Sequence, residues 1–419
     1  MRICACTLAI AVGLGISVSA QAGSESALTL PGAPSWQQIG AELHRLHARY
    51  PQQTRLSSLG ESARNKPLWA LRISSDPDDR SRPSILLSAG QHANEAAAPL
   101  HVLDAARTLL DGQDQAPYNE WLDRLTLIVV PMINPDGNEA FFERWPGRGR
   151  KNARQVFSGQ RTLGVDLNRN YPFGWDGPSN RFTSTDPNSR FYRGPAPASE
   201  PEVLAIMKLA DIERFVASIS YHSAATRLIV PYSTAGVSEE QPALPWSVGQ
   251  TMIDKLPHRF KRRRYLATRG LYPVTGIEKD WLYHRHGTLA YVLELPYRRP
   301  EGARLEESIV HSRGAWKALF ERFCAGPSLS IRVNDETGAP LEARVEVLAT
   351  ADASPVVARD THRGTGLLHT YLPSDGPVMV RVRARGQVRE LTLDPQGGHT
   401  TVSMTLADEP LTSLTGLTF

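Results

Sequence analysis

Apolar positions along the chain follow two rhythms. Up to about residue 325, short and nearly continuous apolar runs alternate with amphipathic stretches. The runs at 84–88, 125–130, 215–220 and 288–295 read as buried strands, and 36–50, 97–110, 200–209 and 305–323 read as helices. Strands that are apolar on both faces, separated by helices, predict an α/β region built on a mostly parallel, doubly covered sheet over residues 34–325. After Gly326-Pro327 the period falls to two: Leu329, Ile331 and Val333, then Val345 and Val347, then Val380, Val382 and Ala384 between arginines. Turn-forming stretches such as "NDETGAP" and "PSDGP" separate these segments, so residues 328–407 read as a small all-β sandwich.

Length agrees with that division, because 419 residues exceed what one ordinary core organises. A content of 41% hydrophobic and 21% charged residues is that of a globular protein, and the body holds no apolar run long enough to span a membrane. The net charge of +4 is too small to argue for nucleic acid without a motif, and no zinc-finger, phosphate-loop or RNA-binding pattern occurs. The basic run Lys261-Arg262-Arg263-Arg264 therefore reads as a solvated face. Residues 1–22 read as a signal peptide: Arg2, the apolar "LAIAVGLGISV", then Ala20-Gln21-Ala22 as cleavage site. Cys4 and Cys6 leave with it, and Cys324 alone cannot form an intramolecular disulfide. An exported, disulfide-free chain of this size is expected in a bacterial periplasm or exterior, stabilised by its core. Cys324 follows the amphipathic "GAWKALFERF" and reads as a small buried hydrophobe.

Candidate chemistry collects at the ends of the apolar runs, where open α/β sheets place their sites. In "SAGQHANEAAAP", His92 and Glu95 stand three residues apart at a predicted strand-to-helix corner, so both can face one ion. A carboxylate favoured by a helix start is the alternative for Glu95. His222, at the end of the run in "SISYHSAA", offers a third ligand, and Asn134 lies at another strand end. The stretch "GVDLNRNYP" reads as extended, with Asp166 and Asn168 on one side; Asp166 suits the second ring nitrogen of a ligand histidine, and Arg169 offers a fork for a carboxylate. Glu294 stands inside the apolar run "YVLELP", either pointing outward or serving as a general base.

Taken in order, HxxE at 92–95, NPDG at 134–137, DxNRN at 166–170, Tyr-Arg-Gly at 192–194, Ser-Glu-Pro-Glu at 199–202, His-Ser at 222–223, Tyr272 before Asp280-Trp281, and the apolar-Glu-Leu run resemble the zinc metallocarboxypeptidases of the A/B and E/N type, over about residues 36–322. The resemblance implies a central mixed sheet of eight strands with helices on both faces. It implies one Zn²⁺ held by His92, Glu95 and His222, and Glu294 as the base for the attacking water. It further implies Arg150, with Arg148 as a rival, opposite the oxyanion, and Asn168, Arg169 and Tyr272 around the terminal carboxylate of a peptide.

Asn94 stands where digestive members carry arginine, which resembles the E/N branch and its transthyretin-like module, here 328–407. Only the stretch 23–33 separates the presumed cleavage site from the catalytic region, so activity without removal of an inhibitory prodomain is expected. At the position the resemblance makes the floor of the pocket for the released side chain stands Lys279, with apolar Ile229, Leu271, Val274 and Val292 around it. A buried ammonium wants a carboxylate. An acidic terminal residue, or the side-chain carboxylate of a diamino acid in a bacterial wall peptide, is therefore expected. Pairing of Lys279 with the adjacent Glu278 is the alternative.

Overall fold

The computed structural model describes residues 33–145, 149–156, 158–234, 237, 243–257, 264–348, 357–373, 376–395 and 398–406. The expected signal peptide, Arg148 and residues 261–263 of the basic run lie outside the described residues.

Eight strands form the first sheet: β1 (Thr54–Glu61), β2 (Pro67–Ile73), β3 (Ser84–Ala89), β4 (Thr126–Val130), β5 (Ala217–Ser223), β6 (Arg227–Ile229), β7 (Leu266–Thr268) and β8 (Leu289–Leu295), in the order β1-β2-β4-β3-β5-β8-β6-β7. The centre, β4-β3-β5-β8, is parallel. The pairs β1–β2, β2–β4 and β6–β8 are antiparallel, so the sheet is mixed rather than mostly parallel. The polar, half-exposed β1 is tolerated because it closes an edge, whereas β3 is buried along all six residues. Within β3, Ile85 and Leu87 join the larger core and Leu86 the other, as alternation across a doubly covered strand requires. Each such side chain contributes roughly 1.5–3 kcal/mol by burial.

Helices α1 (Trp36–Arg49), α2 (Ala98–Asp111), α3 (Tyr118–Arg124), α6 (Ala243–Asp254) and α8 (Ala303–Ala325) contribute to the larger core. Helices α5 (Pro201–Glu213) and α7 (Glu278–His286) cover the opposite face. A short α4 (Pro135–Phe142) starts at Asn134, whose Oδ1 accepts the N–H of Gly137 at 2.7 Å. Buried charge is paired: Arg313 of α8 grips Asp104 of α2 at 2.8 and 2.9 Å.

Beyond α8 lie β9 (Ser328–Asp335), β10 (Arg344–Leu348), β11 (Val357–Asp360), β12 (Leu367–Tyr371), β13 (Val378–Ala384), β14 (Gln387–Leu393) and β15 (His399–Leu406), in sheets β11-β10-β13-β14 and β12-β9-β15. The alternation read from the sequence is realised, with Leu329, Ile331, Val333, Val345, Val347, Val380 and Val382 fully buried. The end of α8 joins the two regions. Phe323 meets Tyr371 edge-on, the Tyr371 hydroxyl donates to Leu319 O at 3.0 Å, and Arg322 donates to Pro327 O and Leu372 O. Cys324 is half-buried there, its thiol pushed up to about 11 by burial, which suits packing rather than reactivity.

Candidate active site

At the carboxyl end of β3 the chain must turn sharply, and Gly90 does so at φ +77°; a Cβ there would come within 2.9 Å of Met132 Sδ. Successive tight turns follow: Glu95 N–H donates to His92 O, and Ala98 N–H to Glu95 O, both at 3.0 Å. The pair therefore precedes α2 instead of occupying its first turn. Three residues per turn brings positions i and i+3 into line, which still puts His92 and Glu95 on one side. His222 arrives from β5, and ligand atoms of all three residues lie within 4.8 Å of one another. Nδ1 of His92 and of His222 face the two Glu95 oxygens at 3.2 and 3.0 Å. Each Nε2 then has a protein partner: Asp166 Oδ1 at 3.0 Å for His92, Ser220 Oγ at 3.3 Å for His222. Two oriented imidazoles and one carboxylate, with no fourth side-chain ligand among the described residues, fit a catalytic zinc site. Zinc supplies Lewis acidity toward a carbonyl oxygen and a lowered pKa for water. Burial opposes ionisation of Glu95, but the two imidazoles hold its carboxyl far below the usual range.

Asp166 ties this corner to its surroundings. The DxNRN segment is a 3-10 turn, Leu167–Arg169, rather than extended, because the Asp166 carboxylate caps it by accepting Asn168 N–H at 3.2 Å. The same carboxylate accepts from Arg150 Nε at 3.0 Å, with Nη2 at an ion-pair distance of 2.7 Å, while Arg150 Nη1 lies 3.4 Å from His92 Nδ1. Arg150 thus stands beside the metal corner. Burial would raise the Asp166 pKa; Arg150 and Arg169 outweigh it and hold the carboxyl strongly ionised. Glu294 is the register partner of His222 across β5 and β8. Burial, then repulsion from Glu95, pushes its carboxyl up to about 7.

Next to the metal corner opens a cleft lined by His92, His222, Glu294, Asn168, Arg169 and Tyr272. Arg169 donates from Nε to Phe182 O at 2.6 Å and from Nη1 to Asn168 O at 2.5 Å, which fixes the plane of its fork. The Tyr272 ring stacks on Phe182 with centroids 4.0 Å apart. Gly276, at φ +65°, lets the loop from Tyr272 lie on this turn; a Cβ would meet Arg169 O at 2.3 Å. Asn170 Nδ2 donates to Arg193 O, Ala196 O and Ser199 Oγ, and Glu200 accepts from Asn152 and Arg154. The Tyr-Arg-Gly and Ser-Glu-Pro-Glu segments therefore serve to hold the arginine turn.

Lys279 lines the same cleft, with the expected Ile229, Leu271, Val274 and Val292 and with Ser233 and Ile277, which sequence reasoning missed. Its ammonium pairs with Asp280, not with Glu278. Burial lowers its pKa and Asp280 opposes the shift. The second Asp280 oxygen is taken by Ser233 N–H at 2.8 Å, Thr234 N–H at 2.7 Å and Thr234 Oγ1 at 2.6 Å. Glu278 turns away to accept from Gln91, its carboxyl pushed up to about 7 by burial. Gln91 also approaches Ser220 Oγ at 3.4 Å, behind His222. Gln91 and Ser220 escaped sequence reasoning, although Ser220, two residues before His222 on one strand face, carried a signal.

With this geometry in hand, comparison with known proteins is direct. The family described as zinc carboxypeptidase, Peptidase_M14, matches residues 39–312. Human mast cell carboxypeptidase A is 27% identical over 302 residues, covering 70% of this chain and 69% of that protein. Human carboxypeptidase B is 26% identical over 289 residues, 66% of each. Among solved structures, carboxypeptidase A from Helicoverpa armigera superposes with a TM-score of 0.61 at 22% identity, covering 71% of this chain and 74% of that one. Bovine thrombin-activatable fibrinolysis inhibitor, in complex with tick carboxypeptidase inhibitor, gives 0.59 at 23%, covering 69% and 96%. The fold is theirs, and the family match spans most of the chain. The protein belongs to the zinc carboxypeptidase family and is a zinc metallocarboxypeptidase.

Proposed function

We propose that the chain releases acidic residues from the C-termini of peptides. The chain end docks its carboxylate at Arg169, Asn168 and Tyr272, so that only the last peptide bond meets the metal corner, and positioning supplies much of the rate. Glu294 takes the proton of the attacking water and returns it to the departing amine. Arg150 offsets the charge that grows on the carbonyl oxygen.

The observation that carries the acidic preference is Lys279 in the wall of the pocket. Asp280 takes one of its three N–H donors and shares its own charge among three further hydrogen bonds. Two donors of a buried ammonium remain for a substrate carboxylate. The same donors suit the side-chain carboxylate of a diamino acid, so a bacterial wall peptide is the second reading. The leader-like residues 1–22 support export to the periplasm or exterior in either case. Residues 34–325 form the catalytic domain in this reading, and 328–407 a transthyretin-like sandwich.

The test compares kcat/KM for release of C-terminal Glu, Leu and Arg by wild type and Lys279→Ala. Wild type favours Glu, and the variant loses that preference by at least about tenfold, because the pocket then lacks its polar anchor. A wild type that prefers Arg, or an unchanged ranking in the variant, contradicts the reading. Purified wall peptides assayed beside ordinary peptides separate the two substrates.

A further inference from the structure

Three guanidinium groups converge on one ring. Arg150, Arg190 and Arg169 hold their Cζ atoms 4.9, 5.1 and 5.7 Å from the centroid of Phe191. Arg150 is neutralised by Asp166, and Arg169 is buried against backbone carbonyls. Arg190 differs: it is exposed, and no carboxylate among the described residues lies within ion-pair distance of it. On the segment after β8, the exposed Arg298 acts electrostatically on both Glu294 and Arg190. Neither Arg190 nor Arg298 lines the cleft that holds Lys279 and the clamp. Arg190 instead shares the Phe191 ring with Arg150, and Arg298 follows Glu294 by four residues; in the proposed docking mode the retained part of the peptide leaves the scissile bond on this side.

Stacking on Phe191 fixes Arg190 in a field of like charge, which costs stability unless an anion is there to meet it. We propose that Arg190 and Arg298 form a second anion subsite, which reads a carboxylate on the retained peptide just upstream of the scissile bond. The inference rests on the docking of the chain end at Arg169. It gives the preferred substrate an acidic group on the retained side of the cleaved bond, whatever residue is released.

The full-length zinc enzyme is assayed on peptides that share one C-terminal residue, the one wild type releases best, and differ only in Glu, Gln or Lys at the preceding position. Wild type shows a Glu-to-Gln ratio of kcat/KM of about five or more at low salt, shrinking as salt screens the exposed pair. Arg190→Gln brings that ratio toward one, and Arg190→Glu places the Lys peptide above the Glu peptide. A wild-type ratio near one at low salt, or a ratio unchanged in Arg190→Gln, overturns the proposal; the wild-type salt series needs no variant to fold. Because the released residue is held constant, failure of the Lys279 reading would appear in the terminal series and leave this ratio untouched.

Discussion

His222 on β5 and Glu294 on β8 are register partners in a parallel strand pair, so a metal ligand and the proposed base stand at one level of the sheet. The pairing is rigid, since both strands lie in the parallel centre of the eight-stranded sheet. Replacing Glu294 by Gln keeps the shape and removes the base. The expected outcome is a loss of about 10²–10⁴ in kcat, with zinc content by mass spectrometry still one ion per chain. Loss of zinc together with activity would instead make Glu294 part of metal retention.

Asp166 holds His92 through its second ring nitrogen and anchors Arg150 at the same time. Asp166→Asn weakens both contacts while leaving the three ligands in place. Zinc affinity, measured by competition with a chelator, is expected to fall about 10–100-fold, and kcat to fall further because Arg150 loses its anchor. Unchanged affinity would show that His92 needs no such hold.

Tyr371 is fully buried and donates across to Leu319 of α8. Tyr371→Phe removes one hydrogen bond and is expected to cost about 1 kcal/mol, whereas Tyr371→Ala empties the site and costs about 3–5 kcal/mol. Both shifts are expected in denaturant unfolding followed through Trp316, which packs in the same continuous core. A Trp316 signal that ignores Tyr371→Ala would mean that the sandwich melts independently.

His101 is buried on α2, with Nδ1 at Ala97 O and Nε2 at Ser308 Oγ, both 3.0 Å away. Burial lowers its pKa to about 4, so above the ordinary histidine range both folded and unfolded chains carry it neutral. Between the two values the unfolded chain binds the proton and the folded chain does not. Stability is therefore lost as pH falls from about 6.5 toward 4, by about 3 kcal/mol at most. His101→Gln is expected to flatten that part of the curve of melting temperature against pH; an unchanged slope would locate the acid sensitivity elsewhere.

The legible parts of this protein are those where one physical demand dominates. β3, β4, β5 and β8 are buried on both faces and show as apolar runs, and β9, β10 and β13 show as alternation. β6 and β7 have three residues each, too few for a period, and β1 is a polar edge. α7 escaped because its sequence, "EKDWLYHRH", looks solvent-facing, yet Glu278, Lys279 and Asp280 are buried. Their polarity is met by buried partners, Gln91 for Glu278, Asp280 for Lys279, and Ser233 and Thr234 for Asp280, rather than by solvent. In the site, His92, Glu95 and His222 were identifiable from the family resemblance. Which neighbour Lys279 pairs with was not, because helix start and pocket wall together decide where adjacent charges point. Arg190 had no motif to announce it, since its meaning comes from Phe191 and from two arginines distant in sequence.

Zinc-dependent release of a C-terminal residue is tested by stripping the enzyme with a chelator and titrating zinc back. Release of the terminal amino acid is followed from one peptide with a free C-terminus and from its C-terminal amide. The expected outcome is no release without metal, a rise that levels off at one zinc per chain, and turnover confined to the free carboxylate. Release by the stripped enzyme, or equal cleavage of the amide, would contradict it.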